Sequence, residues 1–525
     1  MSAVERVTVL EAENAQLRSD LASLNSRFGT LSSDYEALKQ QVEWFKRQLF
    51  GRKSEKRLDV DPAVQGNLFA ALGVETPPPN QTPTETITYR RRKKARDGAV
   101  TDTGLRFGED VPREIIAVKD PEIEAIPEER RERIGEKVTY RLAQRPGSYV
   151  ILEYTRPVYK ILDEQTIVTT PAPANVLDKS VADVSFLAGM LIDKFCYHLP
   201  LYRQHQRLVQ SGIQLSRYSL TRWAGAAIDL LRPIVDAQQR HVLQSRVLAM
   251  DETPIKAGRQ KKGKMRQAYF WPIYGEDEEI VFHYAPSRAH SHVQTFLGTF
   301  QGTLLSDGYE AYAAYARNND GVTHAECWSH CRRGFERAQD SDPAASAEAL
   351  ALIGALYRHE QIIRDQGLEG ARKLAYRTQH SAPLVKAFWN WCDEQCHRLD
   401  LLPSSPLAKA LKYAMARHAS LQVFLSDPEV PIDTNHLERG LRPIPMGKKN
   451  WLFAWTEIGA ERIGIIQSLL VTCRLQGVDP YTYLVDVLQR ISEHPARQVA
   501  ELTPRVWKTK FSHDPMKSDL ALAEQ

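Results

Sequence analysis

Six cysteines in 525 residues are too few and too scattered for a disulfide framework, which excludes the stapled secreted mini-domain class. Long hydrophobic runs are missing as well. The densest late one, IGIIQSLLVTC (463–473), is too short to span a bilayer and reads as a buried helix. The opening MSAVERVTVLEAEN lacks the unbroken apolar core of a signal peptide, so the expectation is a soluble, cytoplasmic protein. An excess of one charge sign is missing too: 69 basic residues meet 65 acidic ones, the formal net charge is only +4, and overall charge announces no polyanionic partner. Its distribution is more telling. Lys46, Arg47, Arg52, Lys53, Lys56 and Arg57 form one basic cluster. RRRKKAR (Arg90–Arg96) forms a second, beside the Pro/Thr-rich TPPPNQTPTETIT (76–88). Such runs are either solvated linkers or contacts to an anionic polymer, here through Arg90, Arg91, Arg92, Lys93 and Lys94.

One period is clear. With Val7 at position a, the a series runs Val7, Asn14, Leu21, Phe28, Tyr35, Val42, Leu49. The d series runs Leu10, Leu17, Leu24, Leu31, Leu38, Phe45. A Leu-rich d series with one Asn at a predicts a parallel coiled coil over 1–50, pairing the chain with itself as a dimer or larger assembly. The alternative is a helix packed on its own core.

The pattern dissolves over 51–110, a basic, Pro-rich linker. Residues 111–180 predict a small β module, with alternating strands around an Arg-Pro-Gly turn in KVTYRLAQRPGSYVILEYTRPVYKI (137–161). Residues 181–240 read as helix, turn, helix: Gly212 lies in the turn, and Ser216 or Ser219 caps a second helix. That helix would expose Arg217, Tyr218, Arg222 and Trp223, either as a recognition face for DNA or as part of a plain helical hairpin.

Over 245–335, strands are predicted at 246–255, 268–275, 279–287, 302–312 and near 321–328, with a helix from about His292. Three antiparallel strands, a helix, a strand, a helix and a strand is the order of the ribonuclease-H-like fold. Residues 336–425 read as an all-helical insertion, and 426–490 as the remainder of the core, followed by a tail over 491–525. The fold class is therefore multidomain α+β: N-terminal coiled coil, helical DNA-binding region, and a ribonuclease-H-like α/β core with an all-helical insertion.

Three acids stand out for their setting. Asp251 ends the apolar LAM run in LAMDETPIKAG, and Asp307 ends TLLSDGY, where Gly308 lets another group approach closely. Glu438 lies in DTNHLERGLRP, sharing a helical face with Asn435 and Arg442. Singly, each is as readily a turn former or an ion-pair partner. Together, two strand ends and a late helix suit phosphodiester chemistry, in which two hard cations about 4 Å apart stabilise the attacking and leaving oxygens. Mg²⁺ takes such oxygen ligands.

MDETPIK, LSDGYEAY, CWSHCRRGF and DTNHLERGLRPIPMGKKNWLFA resemble the signature blocks of transposases of the insertion sequence 66 family, which are of the DDE type. The resemblance extends over most of the chain. It implies that Asp251, Asp307 and Glu438 hold Mg²⁺, with Mn²⁺ as a substitute. Implied partners are double-stranded DNA, as terminal inverted repeats and as target, and other proteins encoded by the same element. It also places His330, Arg332 and Arg333 near the active site, and Asn435 beside Glu438. One departure is plain: similar proteins carry a Cys-rich zinc module, but VKDPEIEAIPEERRERIGEKV (118–138) has neither Cys nor His, so no zinc is expected there.

In HAECWSHCRRGF (324–335), Cys327 and Cys331 share a helical face from which His330 is turned away, so ordinary helical packing is expected rather than zinc. CDEQCH (392–397) reads as buried helical cysteines. Arg439, Arg442, Lys448 and Lys449 would hold a DNA backbone with strong salt dependence. Trp451 and Trp455 would serve either as core residues, the expected role, or as a stacking surface for an unpaired base.

Overall fold

The structure, a computed structural model, describes residues 105–523 apart from 110, 146, 164, 179 and 262. The predicted coiled coil and the basic run Arg90–Lys94 lie outside the described residues.

The first described strand, β1 (Arg106–Phe107), pairs with a strand a hundred residues later in the chain. The β module holds β2 (Arg113–Ala117), β3 (Arg131–Arg145), β4 (Ser148–Ile161) and β5 (Thr166–Thr169), in the order β2-β4-β3 with β5 also on β4. β3 and β4 form the predicted hairpin, closing at Arg145 opposite Ser148, with Gly147 at φ 85° in the turn.

Helix α1 (Val184–Phe195) starts where the Asp183 carboxylate accepts the Ser185 N–H at 2.9 Å. It is buried on nearly every side. α2 (Leu201–Gln210) leads through β6 (Ile213–Gln214), the partner of β1, to α3 (Arg217–Val242). Ser216 caps α3 by accepting from the Ser219 N–H at 3.0 Å. Arg217, Tyr218 and Arg222 are exposed, but Trp223 is not: it is buried edge-on against Phe186 of α1, 6.2 Å between ring centroids. It belongs to the core and not to a recognition face.

The second sheet contains β7 (Val247–Met250), β8 (Thr253–Lys261), β9 (Lys264–Tyr274), β10 (Ile280–Ala285), β11 (Gly302–Ser306) and β12 (Val322–Glu326). Its order is β10-β9-β7-β11-β12, with β9 antiparallel to β7 and β10, and β11 parallel to β7 and β12. Helix α4 (Ser291–Leu297) precedes β11, and α5 (Glu310–Asn318) connects it to β12. The apolar run expected as one strand over 246–255 is two. β9 is continuous opposite it, but its partner leaves the ladder at Asp251 and Glu252, where Pro272 brings no N–H. The two acids are thereby turned out of the sheet's alternation.

After α6 (Trp328–Ala338) the chain is helical: α7 (Pro343–Asp365), α8 (Ala382–Cys396) and α9 (Pro406–Met415). Aromatics weld α6 to this block, with Trp328 edge-on to Phe388 at 5.2 Å and its indole N–H donating to the Leu421 carbonyl at 2.7 Å. Of the two cysteines expected to be buried on α8, Cys392 is and Cys396 is exposed, since α8 ends there. The chain then returns through α10 (Asn435–Leu441) and α11 (Pro443–Trp451) to α12 (Glu457–Leu475). α12 covers the β10 edge. Its Ser468 and Thr472 hydroxyls accept from the Phe282 and Ile280 N–H groups at 2.9 and 3.2 Å, which satisfies donors an open edge would leave bare. Gly464 makes this possible, because a Cβ there would lie 2.5 Å from the Phe282 carbonyl oxygen.

Candidate active site

Register explains why two acids meet. In the parallel pair β7–β11, Leu305 stands beside Ala249, so the residues two places further on, Asp307 and Asp251, leave the sheet side by side. Carboxylate oxygens of Asp251, Glu252 and Asp307 all lie within 4.8 Å of one another. The Asp251 carboxylate accepts the Glu252 N–H at 2.7 Å, and that of Asp307 accepts the Tyr309 N–H at 2.9 Å. Glu252 is engaged by a cation and a hydroxyl: Arg288 Nε donates to it at 2.7 Å and the Tyr312 hydroxyl at 2.5 Å. Burial, then the charges of Asp307 and Glu252, pushes the Asp251 carboxyl up to about 7. Burial also raises that of Glu252.

Glu438, on α10, adjoins the same cleft through Arg333, and its charge adds to the upward push on Asp251. It is not part of the 4.8 Å group. Both its oxygens accept from Arg333 Nη2, at 2.7 and 2.9 Å, and not from its expected neighbour Arg442. His330 Nε2 lies 3.9 Å from Glu438 Oε1 and accepts from Arg333 Nη1 at 3.1 Å. Burial and the adjacent guanidinium hold this imidazole below its ordinary range, consistent with a neutral acceptor. A cleft of about 710 Å³ opens over Asp307 and is walled by Arg288, His330, Arg333, Arg337 and Lys409.

The helical insertion reaches this cleft. Arg417 donates to the Gly308 carbonyl at 2.8 Å and pairs with Glu326 at 3.1 Å. A Cβ on Gly308 would sit 2.6 Å from the Arg417 guanidinium and the Tyr413 hydroxyl, so the close approach expected at this glycine is made by the insertion itself.

The other expected site residues are dispersed. Asn435 donates to Asp433 at 2.5 Å, and Arg332 pairs with Glu336 at 2.8 Å. Arg439, Arg442 and Lys449 are exposed, while Lys448 donates to the Pro254 carbonyl at 2.9 Å. Cys327 caps α6, and its sulfur accepts from the Thr434 N–H and hydroxyl, both at 3.3 Å. Glu252 and Arg288 join the site without having stood out in the sequence.

The donor set tests well for a divalent metal. Asp251 and Asp307, crowded, half-buried carboxylates without a guanidinium of their own, supply hard oxygens, and a cation would offset the burial and the repulsion that together raise Asp251. Family comparison agrees. The model described as "Transposase IS66 family" matches residues 179–462, the "IS66 C-terminal element" matches 468–505, and "Transposase C of IS166 homeodomain" matches 37–116, a span that includes Arg90–Lys94. The chain belongs to the IS66 transposase family. Among its relatives is uncharacterized protein y4hP of Sinorhizobium fredii (strain NBRC 101917 / NGR234), 30% identical over 423 residues and covering 76% of each chain. Uncharacterized protein y4jD of the same strain is 28% identical over 488 residues, 89% of this chain and 93% of its own. Among the described residues, no helix is long and apolar enough to cross a membrane.

Proposed function

We propose that the protein is a DNA transposase that cuts the ends of its element by metal-dependent hydrolysis and joins the resulting 3′-hydroxyls to target DNA. The observation that carries this is the pair Asp251 and Asp307, brought together at the ends of adjacent parallel strands. The strand order and alternating connections support a ribonuclease-H-like core formed by 245–335 and 426–490, interrupted by the helical 336–425. Asp251, Asp307 and Glu438 would hold Mg²⁺, or Mn²⁺ in its place. Such ions lower the pKa of an attacking water and stabilise both oxygens of an in-line displacement.

The chain's own groups do the rest. The cationic wall of Arg288, Arg333, Arg337 and Lys409 suits a phosphodiester drawn down onto the acidic floor. Arg333 orients Glu438, and neutral His330 holds Arg333 in turn. Arg217, Arg222, Arg332, Arg439, Arg442, Lys448 and Lys449, with Arg90–Lys94, are assigned to the DNA backbone. The coil at 1–50 would pair protomers so that two ends share one complex, in the cytoplasm and on the nucleoid, with or without other proteins of the element.

The test is end cleavage. Purified protein and Asp251→Ala are incubated with Mg²⁺ and labelled DNA carrying the inverted repeats that flank the gene, and new 3′-hydroxyls are mapped. A cut at the element boundary that disappears in the variant is expected. A cut that survives moves the site elsewhere, and salt-sensitive binding with no cut favours a DNA-binding remnant.

A further inference from the structure

The β8–β9 hairpin carries charge that the candidate site does not use. Beyond Ala257 it is largely exposed, and Lys256, Arg259, Lys261 and Lys264 stand on it around a turn at Gly263, φ 76°. A second segment is bound along it. Ala257 and Ala454 form a parallel bridge, the Ala454 N–H donates to the Lys256 carbonyl at 2.9 Å, and the Gly258 N–H donates to the Ala454 carbonyl at 3.2 Å. Arg266 and Glu457 pair across the same junction at 3.0 Å.

What this anchored segment presents is apolar. Trp455 is 69% exposed and Leu452 62%, although the expectation for Trp455 was the core. Phe453 meets the Trp455 ring edge-on at 5.0 Å between centroids. Leu452, at φ 66° and ψ −50°, is the centre of a γ-turn closed by the Phe453 N–H donating to the Trp451 carbonyl at 2.8 Å, a strained conformation for a non-glycine residue. A strained turn anchored on the basic hairpin, with a large ring exposed to solvent, is unexplained by packing. The surface also has a fixed relation to the acids: Lys448, just before the turn, bonds the Pro254 carbonyl, and Ala257 is six residues from Asp251, at most about 20 Å of extended chain.

We propose that the β8–β9 hairpin and the 452–455 turn form one DNA-holding ledge, on which the hairpin cations track the phosphates and Trp455 stacks on an unpaired base several nucleotides from the cut end. The occupant follows from chemistry. A row of exposed cations recruits a polyanion, and an exposed indole among them offers the sequence-tolerant stacking that a free base accepts. At about 3.4 Å per nucleotide the ledge lies at most about six steps from the acids. The inference rests on the transposase reading, which it deepens.

The test is therefore binding without catalysis. The full chain, in EDTA, is titrated by anisotropy with a blunt duplex oligonucleotide and with the same duplex bearing a single-stranded extension, over a range of salt. The parent protein is expected to prefer the extended DNA. Trp455→Ala should lose that preference by about 10-fold while binding blunt duplex normally, and Trp455→Phe should keep most of it. Arg259→Ala/Lys261→Ala/Lys264→Ala should weaken both DNAs and flatten the salt slope by roughly one unit per cation that touches phosphate. Unchanged preference in Trp455→Ala, or an unchanged salt slope in the triple variant, overturns the ledge. Because no metal is present, failure of end cleavage alone leaves it standing.

Discussion

One nitrogen of Arg333 holds both oxygens of Glu438, at 2.7 and 2.9 Å. A carboxylate so engaged is aimed, but it is also partly neutralised, and a metal would have to share it. Both residues therefore act as a unit. Arg333→Ala and Glu438→Gln should each reduce end cleavage by about 100-fold or more, and the double variant should lose little beyond Glu438→Gln alone. Independent, multiplying losses in single-turnover cleavage would show that the two act separately.

The setting of Asp251 costs stability. Its carboxyl, pushed up to about 7 by burial and neighbouring carboxylates, is disfavoured as an anion in the native state. Above that pH the fold carries a penalty relative to the unfolded chain, on the order of 2–4 kcal/mol. At pH 8 without metal, Asp251→Asn should melt above the parent. Mg²⁺ should raise the parent's Tm and leave the variant's unmoved. A lower Tm for the variant, or equal Mg²⁺ shifts, would be the contrary result.

Arg377 is fully buried, donating to both oxygens of Glu360 at 2.8 Å and to the carbonyls of Phe424 and Val430 at 2.8 and 3.1 Å. It thus fastens the insertion to the segment that leads into α10. Arg377→Met strands a buried carboxylate and several carbonyls, and should destabilise by about 3–5 kcal/mol in urea. Adding Glu360→Leu should recover only part of that, because the carbonyls stay unpaired. Full recovery would assign the whole effect to the ion pair.

Three histidines make the fold acid-sensitive. Burial depresses His283, His324 and His436 to about 4. Their unfolded value is near 6.5, so between those limits the unfolded chain binds more protons and stability falls as pH falls. Each contributes up to about 3 kcal/mol above pH 6.5, lost by about pH 4. His283 stacks on Phe296 at 4.6 Å between centroids. In melts from pH 7 to pH 5, His283→Phe should lose less Tm than the parent. Parallel curves would remove His283 from the account.

Local pattern exposed much of this architecture in advance. Alternation marked the strands, and Ser216 marked the start of α3. Asp251 and Asp307 were legible because each follows an apolar run. Glu252 was not, since alternation assigns it to the opposite face, and only the break opposite Pro272 brings its carboxylate round. Arg288 was hard to place for another reason, its partner Glu252 lying 36 residues away, whereas Arg333, expected near the site from the family resemblance, reaches Glu438 across 105 residues. Trp223 and Trp455 exchange their expected environments, because burial of a large ring depends on which element arrives to cover it.

The acids are also separated in time. Asp251 and Asp307 leave the ribosome early, whereas Glu438 comes after the whole helical block, and α12, which seals the β10 edge, comes later still. At about 5–20 residues per second, Glu438 trails Asp251 by about 10–40 s. When synthesis reaches the insertion, the nascent chain has supplied the strands of the sheet with Arg288 and Arg333, but neither Lys409 of the wall nor the third acid. The insertion is thus a delay written into the order of synthesis, and a chain cut short anywhere within it yields a product unable to nick DNA through the proposed site.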